Sequence, residues 1–209
     1  MSEQSKIRVL CVDDHVVVRD GIEAILSLQR DMLLVASAST GREAVNQYRS
    51  VRPDVTLMDL RLPDMMGFDA IRAIKAEFPN AKIIVLSSYE GDADIRKAME
   101  AGAQGYVAKG MARDELLEMI RTVHAGKRRI PSALAQTIAE HVSDDELSPR
   151  ELEVLQLVSA GKRNKEIAAE LSVVEDTVKM HVRNVLSKLR ASDRTEAVTI
   201  ALRRGILHL

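Results

Sequence analysis

Four short apolar runs, rich in β-branched residues and each closed by a polar side chain, constrain this chain more than any other feature. Val9-Leu10-Cys11-Val12 runs into Asp13-Asp14, Val55-Thr56-Leu57-Met58 into Asp59, Ile83-Ile84-Val85-Leu86 into Ser87, and Tyr106-Val107-Ala108 into Lys109. Near-continuous apolar runs of this length read as strands buried on both faces, the pattern of a parallel sheet. A fifth short run, Leu33–Ala38, fits the same reading. Stretches with helical spacing follow each run: Val16–Leu28, Gly41–Ser50, Met66–Glu77, Ala93–Ala101 and Arg113–Ala125. Five repeats of strand then helix predict an α/β unit, a five-stranded doubly wound parallel sheet with helices on both faces.

The pattern changes after Gly126. Pro131–Val142 has the spacing of one amphipathic helix, with Leu134, Ile138 and Val142 on one side, and Ser143-Asp144-Asp145-Glu146 reads as an acidic linker. From Ser148 onward every periodic stretch is helical. Ser148-Pro149-Arg150-Glu151 has the form of a capping box with Pro at the first helical position. Gly161 ends that helix, Asn164 is read as the cap of a short second one, and Glu175–Leu189 and Asp193–Arg204 follow as a third and fourth. The expected organisation is residues 1–126 as an α/β domain, 127–147 as a linker with a helix, and 148–209 as an all-α four-helix domain containing a helix-turn-helix.

Composition narrows the class. The 209 residues are 46% hydrophobic and 29% charged, as in ordinary globular domains. No apolar run approaches a membrane span, no secretory signal is read in the first residues, and the single cysteine, Cys11, excludes an internal disulfide framework. These features predict a cytoplasmic protein without a membrane partner. The net charge of −1 is unevenly spread, since the segment from Ser148 holds eleven Lys/Arg against eight Asp/Glu. An acidic front and a mildly basic tail point to different partners for the two domains.

The carboxyl ends of parallel strands converge, and ligands bind in the crevice outside them. Asp13, Asp14, Asp59, Ser87 and Lys109 would therefore meet at one edge. Three carboxylates so placed repel one another unless a cation neutralises them, and an oxygen-only donor set suits Mg²⁺. An ammonium and a hydroxyl beside them suit a phosphoryl group. His15 follows the acidic pair, but its place at a helix start argues against a ligand role.

These residues stand in the order, and at the strand ends, of the receiver domain of bacterial response regulators, a flavodoxin-like fold. The resemblance covers roughly Lys6 to Gly126. It implies Asp59 as phosphoacceptor, with Asp13, Asp14 and the backbone carbonyl of Arg61 around Mg²⁺. It further implies Ser87 and Tyr106 as a switch pair and Lys109 as the phosphate-binding lysine, with Pro63 and Gly67 in the loop after Asp59. One departure is Gly110, which stands after Lys109 where many receivers carry Pro. An enzyme reading fails on chemistry. Aspartyl-phosphate phosphatases carry an acid two positions after the nucleophile, and Arg61 cannot act as one at neutral pH. A nucleotide site would need a glycine-rich loop after the first strand, where Asp13-Asp14-His15-Val16 stands.

In Glu175–Leu189, the residues Val178, Val182, Val185 and Leu189 make one apolar stripe and leave Asp176, Met180, Arg183 and Ser187 facing outward, with Lys179 on the flank. A short helix presenting such groups after a helix-turn suits the major groove. The segment Leu147–Leu207 resembles the LuxR/NarL-type helix-turn-helix domain in three runs: Ser148-Pro-Arg-Glu-Leu-Glu-Val-Leu, Asn164-Lys-Glu-Ile-Ala and Thr177-Val-Lys-Met-His-Val. It implies base or groove contacts from Lys179, Met180 and Arg183, phosphate contacts from Lys165, Thr177 and Lys188, and dimer contacts from Val198, Ala201 and Leu202. Val174 stands where a capping Ser or Thr is usual, and Arg163 where a small hydroxyl residue is usual. With aromatics at 2% and no Trp, single-strand binding by base stacking is not expected.

Together the two resemblances imply a transcriptional regulator rather than an enzyme. A sensor histidine kinase would supply phosphate to Asp59, the receiver would change state, and a homodimer would bind an inverted repeat in double-stranded DNA, with RNA polymerase as a further candidate partner.

Overall fold

The structure, a computed structural model, describes residues 6–88, 91–130, 136 and 146–208. The expected helix over 131–142, the acidic residues 143–145 and Tyr89 lie outside the described residues, Gln136 excepted. The chain forms two compact units, one of Met1–Tyr89 with Ile95–Ala135 and one of Gln136–Leu209 with Glu90–Asp94.

Along the chain to His124, β1 (Ile7–Val12), α1 (Val16–Ser27), β2 (Met32–Ala38), α2 (Gly41–Val51), β3 (Val55–Asp59), α3 (Gly67–Glu77), β4 (Ile83–Ser87), α4 (Asp92–Glu100), β5 (Gly105–Ala108) and α5 (Arg113–His124) alternate as expected. The strands lie in the order β2-β1-β3-β4-β5, and all four pairings are parallel. From β1 the chain winds first to one side and then, at β3, to the other. The reversal opens the crevice of a doubly wound sheet outside the ends of β1 and β3.

Both faces of the sheet are covered, which is why its central strands show no polar alternation. Val9, Cys11, Leu57, Ile84, Leu86 and Val107 pack with Ile22 and Leu26 of α1 and with Leu116, Leu117, Ile120 and Val123 of α5. Leu10, Val12 and Met58, of opposite parity, are equally buried. Tyr48 of α2 stacks on Phe78 at the end of α3, with ring centroids 5.0 Å apart. Cys11 is the bland core residue its place in a strand implies. Burial, reinforced by the Asp13 charge, pushes its thiol up to about 12, so no thiolate forms near neutrality.

The first unit extends past the expected boundary at 126. Arg129 bridges Gly105 in parallel and donates its N–H to the Gln104 carbonyl at 2.9 Å, so residues 127–129 extend the sheet edge rather than begin a linker.

The second unit is all helical: α6 (Pro149–Ser159), α7 (Asn164–Glu170), α8 (Glu175–Leu189) and α9 (Arg194–Arg203). The capping box at its start forms as expected. Glu151 N–H donates to Ser148 Oγ at 3.3 Å, and Ser148 N–H donates to Glu151 Oε2 at 2.7 Å. The cap of α7 is corrected by one residue. Asn164 is already helical and Arg163 is the N-cap, whose N–H donates to Glu166 Oε2 at 2.7 Å. Ser172, in the left-handed region at φ 54°, makes the turn between α7 and α8. Two apolar clusters hold the helices. Leu155, Val185, Leu189, Ala197 and Ala201 form one, and Val154, Val158, Ile167, Ala168 and Val178 form the other.

No helix among the described residues is long and apolar enough to cross a membrane.

Candidate functional site

Asp59 and Ser87 are the last residues of β3 and β4, while Asp13 and Lys109 directly follow β1 and β5. Parallel pairing therefore brings all four to one sheet edge. Asp13, Ser87 and Tyr106 are inaccessible to solvent and Asp59 nearly so, whereas Asp14 is open. The Lys109 ammonium reaches into the pocket between two carboxylates, 2.7 Å from Asp13 Oδ2 and donating to Asp59 Oδ2 at 2.8 Å. Arg19, on α1, closes the other side by donating to the Asp13 carbonyl at 2.6 Å.

The electrostatics are those of a site waiting for positive charge. Burial holds the Asp59 carboxyl above its ordinary range. The Lys109 hydrogen bond and charge oppose that effect, while the Asp13 charge adds to it. Burial works against the Lys109 ammonium, but its bonds to Asp13 and Asp59 outweigh this and hold its pKa above the usual value. One lysine cannot neutralise the cluster. Asp13, Asp14, His15 and Asp59 offer ligand atoms that all lie within 4.8 Å of one another. Asp13 Oδ2 is buried without a hydrogen bond, so the Lys109 charge alone faces it. The three carboxylates thus fit the oxygen donor set of a hard dication such as Mg²⁺.

The loop after Asp59 is pinned at both ends. Gly67 donates its N–H to the Leu60 carbonyl at 2.9 Å, and a Cβ on Gly67 would stand 2.0 Å from the Asp59 carbonyl oxygen. Asp64 accepts from the Gly41 and Arg42 N–H groups at 2.7 and 3.0 Å and so caps α2 from this loop. Arg61 lies between, bridged to Met66, and its backbone N–H also bonds the Asp59 carboxylate. Tyr106 lies wholly inside the protein.

The second unit presents α8 much as its spacing implies. Val178, Val185 and Leu189 are buried and Val182 packs against the core, while Asp176, Lys179, Met180, Arg183 and Ser187 are exposed. Met180 keeps 48% of its surface open. Lys165 is exposed on α7, and Thr177 is half-buried at the start of α8. Lys179 is not a free charge. It donates to Asp176 Oδ1 at 3.0 Å and lies 3.6 Å from Glu175 Oε1, and these contacts hold its pKa above the usual lysine value.

Two expectations are corrected by packing. The Lys188 ammonium donates to Glu151 Oε2 at 2.8 Å and to the Glu146 carbonyl at 2.9 Å. It ties the end of α8 to the start of α6 instead of pointing at a phosphate. Ala201, expected at a dimer contact, is fully buried in the unit's own core, where Val198 and Leu202 pack against the same cluster.

Comparison with known proteins agrees with this division. Residues 9–121 match the response regulator receiver domain, and residues 145–201 match the bacterial regulatory proteins of the luxR family. The transcriptional regulatory protein LiaR of Bacillus subtilis is 39% identical over 210 residues, spanning 97% of this chain and all of that one. Among solved structures, the response regulator ChrA of a heme-sensing two-component system is 34% identical, with a TM-score of 0.58 over 97% of this chain and all of its own. RcsB of Salmonella enterica serovar Typhimurium is 25% identical, with a TM-score of 0.73 over 94% of this chain and 98% of its own. A receiver domain with an acidic pocket, joined to a helical domain of the luxR family, makes this chain a member of the LuxR-type two-component response regulators.

Proposed function

We propose that phosphorylation of Asp59 gates sequence-specific DNA binding by this protein. The observation that carries the reading is the meeting of Asp13, Asp59 and Lys109, with Lys109 Nζ 2.7 and 2.8 Å from the two carboxylates. A carboxylate oxygen of Asp59 attacks phosphorus, and the bond between phosphorus and the donor nitrogen breaks, its electrons leaving with the histidine of a sensor kinase. Asp13, Asp14 and the Arg61 carbonyl would hold Mg²⁺ beside Asp59, where the ion offsets the charge gathered on the phosphoryl oxygens. Lys109 neutralises the same oxygens and Ser87 hydrogen-bonds one of them. The protein takes up the phosphoryl group and loses it slowly to water, with no other enzymatic turnover.

The phosphoryl group acts only through its different interactions with two receiver states. Ser87, Tyr106 and α4 form the responding face. The state it favours exposes the DNA-reading unit or pairs two chains, and a homodimer then binds an inverted repeat of double-stranded DNA in the cytoplasm. RNA polymerase is the next partner to consider. The RcsB structure was obtained bound to a promoter in the presence of phosphomimetic BeF₃⁻, which supports the link between acceptor and DNA. In α8 the exposed Arg183, Lys179 and Met180 would read the groove, with the exposed Lys165 and the half-buried Thr177 as phosphate contacts.

Intact-mass spectrometry after incubation with Mg²⁺ and phosphoramidate tests the first step. One added phosphoryl group on wild type and none on Asp59→Asn is the expected result. No addition to wild type, with Mg²⁺ binding confirmed, would leave a receiver that acts without phosphate.

A further inference from the structure

One side chain at the pocket has no part in phosphoryl transfer. His15 is the N-cap of α1, yet its side chain makes no capping hydrogen bond. Its backbone N–H donates to Asp13 Oδ1 at 2.9 Å, and its ring also lies toward the carboxylates. Nδ1 then lies 3.2 Å from Asp13 Oδ1 and 2.6 Å from Asp14 Oδ1. The side chain stays 65% open to water, so the far ring nitrogen reaches solvent. This orientation overturns the expectation that a helix-start position removes His15 from the site. The residue does both: its backbone begins the helix and its imidazole faces the pocket.

We propose that His15 makes this pocket a site for first-row transition dications such as Co²⁺, Ni²⁺, Zn²⁺ or Mn²⁺, with Nδ1 as a ligand beside Asp13 and Asp14. The inference rests on reading the pocket as a metal site and adds a nitrogen donor to it. Donors about 2.1 Å from a shared ion stand about 3 Å apart when adjacent and about 4 Å when opposite in octahedral geometry. The four candidate ligand atoms, all within 4.8 Å of one another, nearly meet that requirement. Asp13 Oδ2 is buried and faces the Lys109 ammonium at 2.7 Å, but Lys109 is shared with Asp59, so one positive charge serves three carboxylates. Mg²⁺ exchanges water for imidazole reluctantly, whereas Co²⁺, Ni²⁺ and Zn²⁺ gain strongly from it. A receiver pocket made only of carboxylates would discriminate weakly among these ions. With His15 turned inward, the preference shifts away from Mg²⁺.

The test is calorimetric titration of the untagged full chain at pH 7.5 with Mg²⁺, Ni²⁺ and Co²⁺ separately, with Co²⁺ also followed by its visible absorption. Wild type should bind Ni²⁺ and Co²⁺ at least about tenfold more tightly than His15→Ala and His15→Asn do, while Mg²⁺ affinity changes by less than about twofold. The Co²⁺ spectrum should change in both variants. Asn can cap a helix, so equal loss in the two separates the missing ligand from a disturbed helix start. Asp13→Asn should weaken all three ions, locating them in one pocket. Unchanged Ni²⁺ and Co²⁺ binding in the His15 variants would overturn the inference, and so would a parallel loss of Mg²⁺. If wild type binds Mg²⁺ and accepts phosphate at Asp59 but those variants bind all ions alike, only the His15 ligand is lost. If wild type binds no divalent ion, the reading of the pocket falls with it.

Discussion

The two units handle charge in opposite ways. In the receiver, Asp13, Asp59 and Lys109 are withdrawn from water, and the Lys109 ammonium lies less than 3 Å from each of the two carboxylates, so the three charges are strongly coupled. On α8, Lys179, Arg183 and Asp176 stand in solvent, where screening weakens even the Lys179–Asp176 pair. The first arrangement is suited to chemistry, because a change of one charge is felt by the whole cluster. The second is suited to recognition, because its groups sum without reorganising the fold. Substitutions in the pocket should therefore couple stability, metal and phosphate, while substitutions on the helix face should move DNA affinity alone.

The largest expected effect comes from Lys109→Ala. It leaves two buried carboxylates without their partner, and loss of one member of a buried ion pair costs about 3–5 kcal/mol. Thermal unfolding in EDTA should show the drop, and added Mg²⁺ should recover part of it. A melting temperature equal to wild type in EDTA would mean the pocket is as screened as the helix face. Next is Gly67→Ala, whose new Cβ would meet the Asp59 carbonyl oxygen. Overpacking of this kind costs about 1–3 kcal/mol. Displacement of Asp59 should also slow phosphorylation by phosphoramidate about tenfold or more, since small misplacements at a reacting atom are expensive. Normal kinetics would show that the loop gives way without moving the acceptor.

Lys188 and Lys165 sharpen the contrast within the helical unit. Lys188→Ala should lower stability by about 1–2 kcal/mol, through loss of its part-buried bond to Glu151, and leave the salt dependence of DNA binding unchanged. Lys165→Ala should do the reverse, leaving the melt intact and reducing the slope of log affinity against log salt by about one. The reverse pattern would restore Lys188 to the DNA surface. The smallest effect is expected for Asp176→Ala, which removes one of the two carboxylates beside the exposed Lys179 and leaves Glu175. Affinity for duplex DNA should rise up to about fivefold. A fall would mean that Asp176 itself contacts a base.

Much of the receiver is legible in the amino-acid sequence because of how parallel sheets are built. A strand buried on both faces must be apolar until the residue where it leaves the sheet, so Asp59, Ser87 and Lys109 announce both a strand end and a site. Backbone topology then brings them together without any long-range information. The helix-turn-helix face is legible for a related reason, since the phase set by Val178, Val185 and Leu189 dictates which residues look outward. Helical phase cannot show, however, what a long side chain finds in the tertiary fold. Lys188 meets Glu151 from 37 positions earlier in the chain, and Ala201 meets a core assembled from three helices. His15 escapes for a local reason. The direction of its ring is a matter of side-chain rotamer and local packing, which residue type does not encode.

Affinity for duplex DNA, measured by fluorescence anisotropy on a site recovered by selection from fragmented genomic DNA, tests the central claim most directly. Wild type and Asp59→Asn would each be titrated before and after treatment with phosphoramidate and Mg²⁺. The account predicts tighter binding by treated wild type, at least about tenfold, and no response from Asp59→Asn. Equal affinity in all four titrations, with phosphorylation of wild type confirmed by mass, would contradict it.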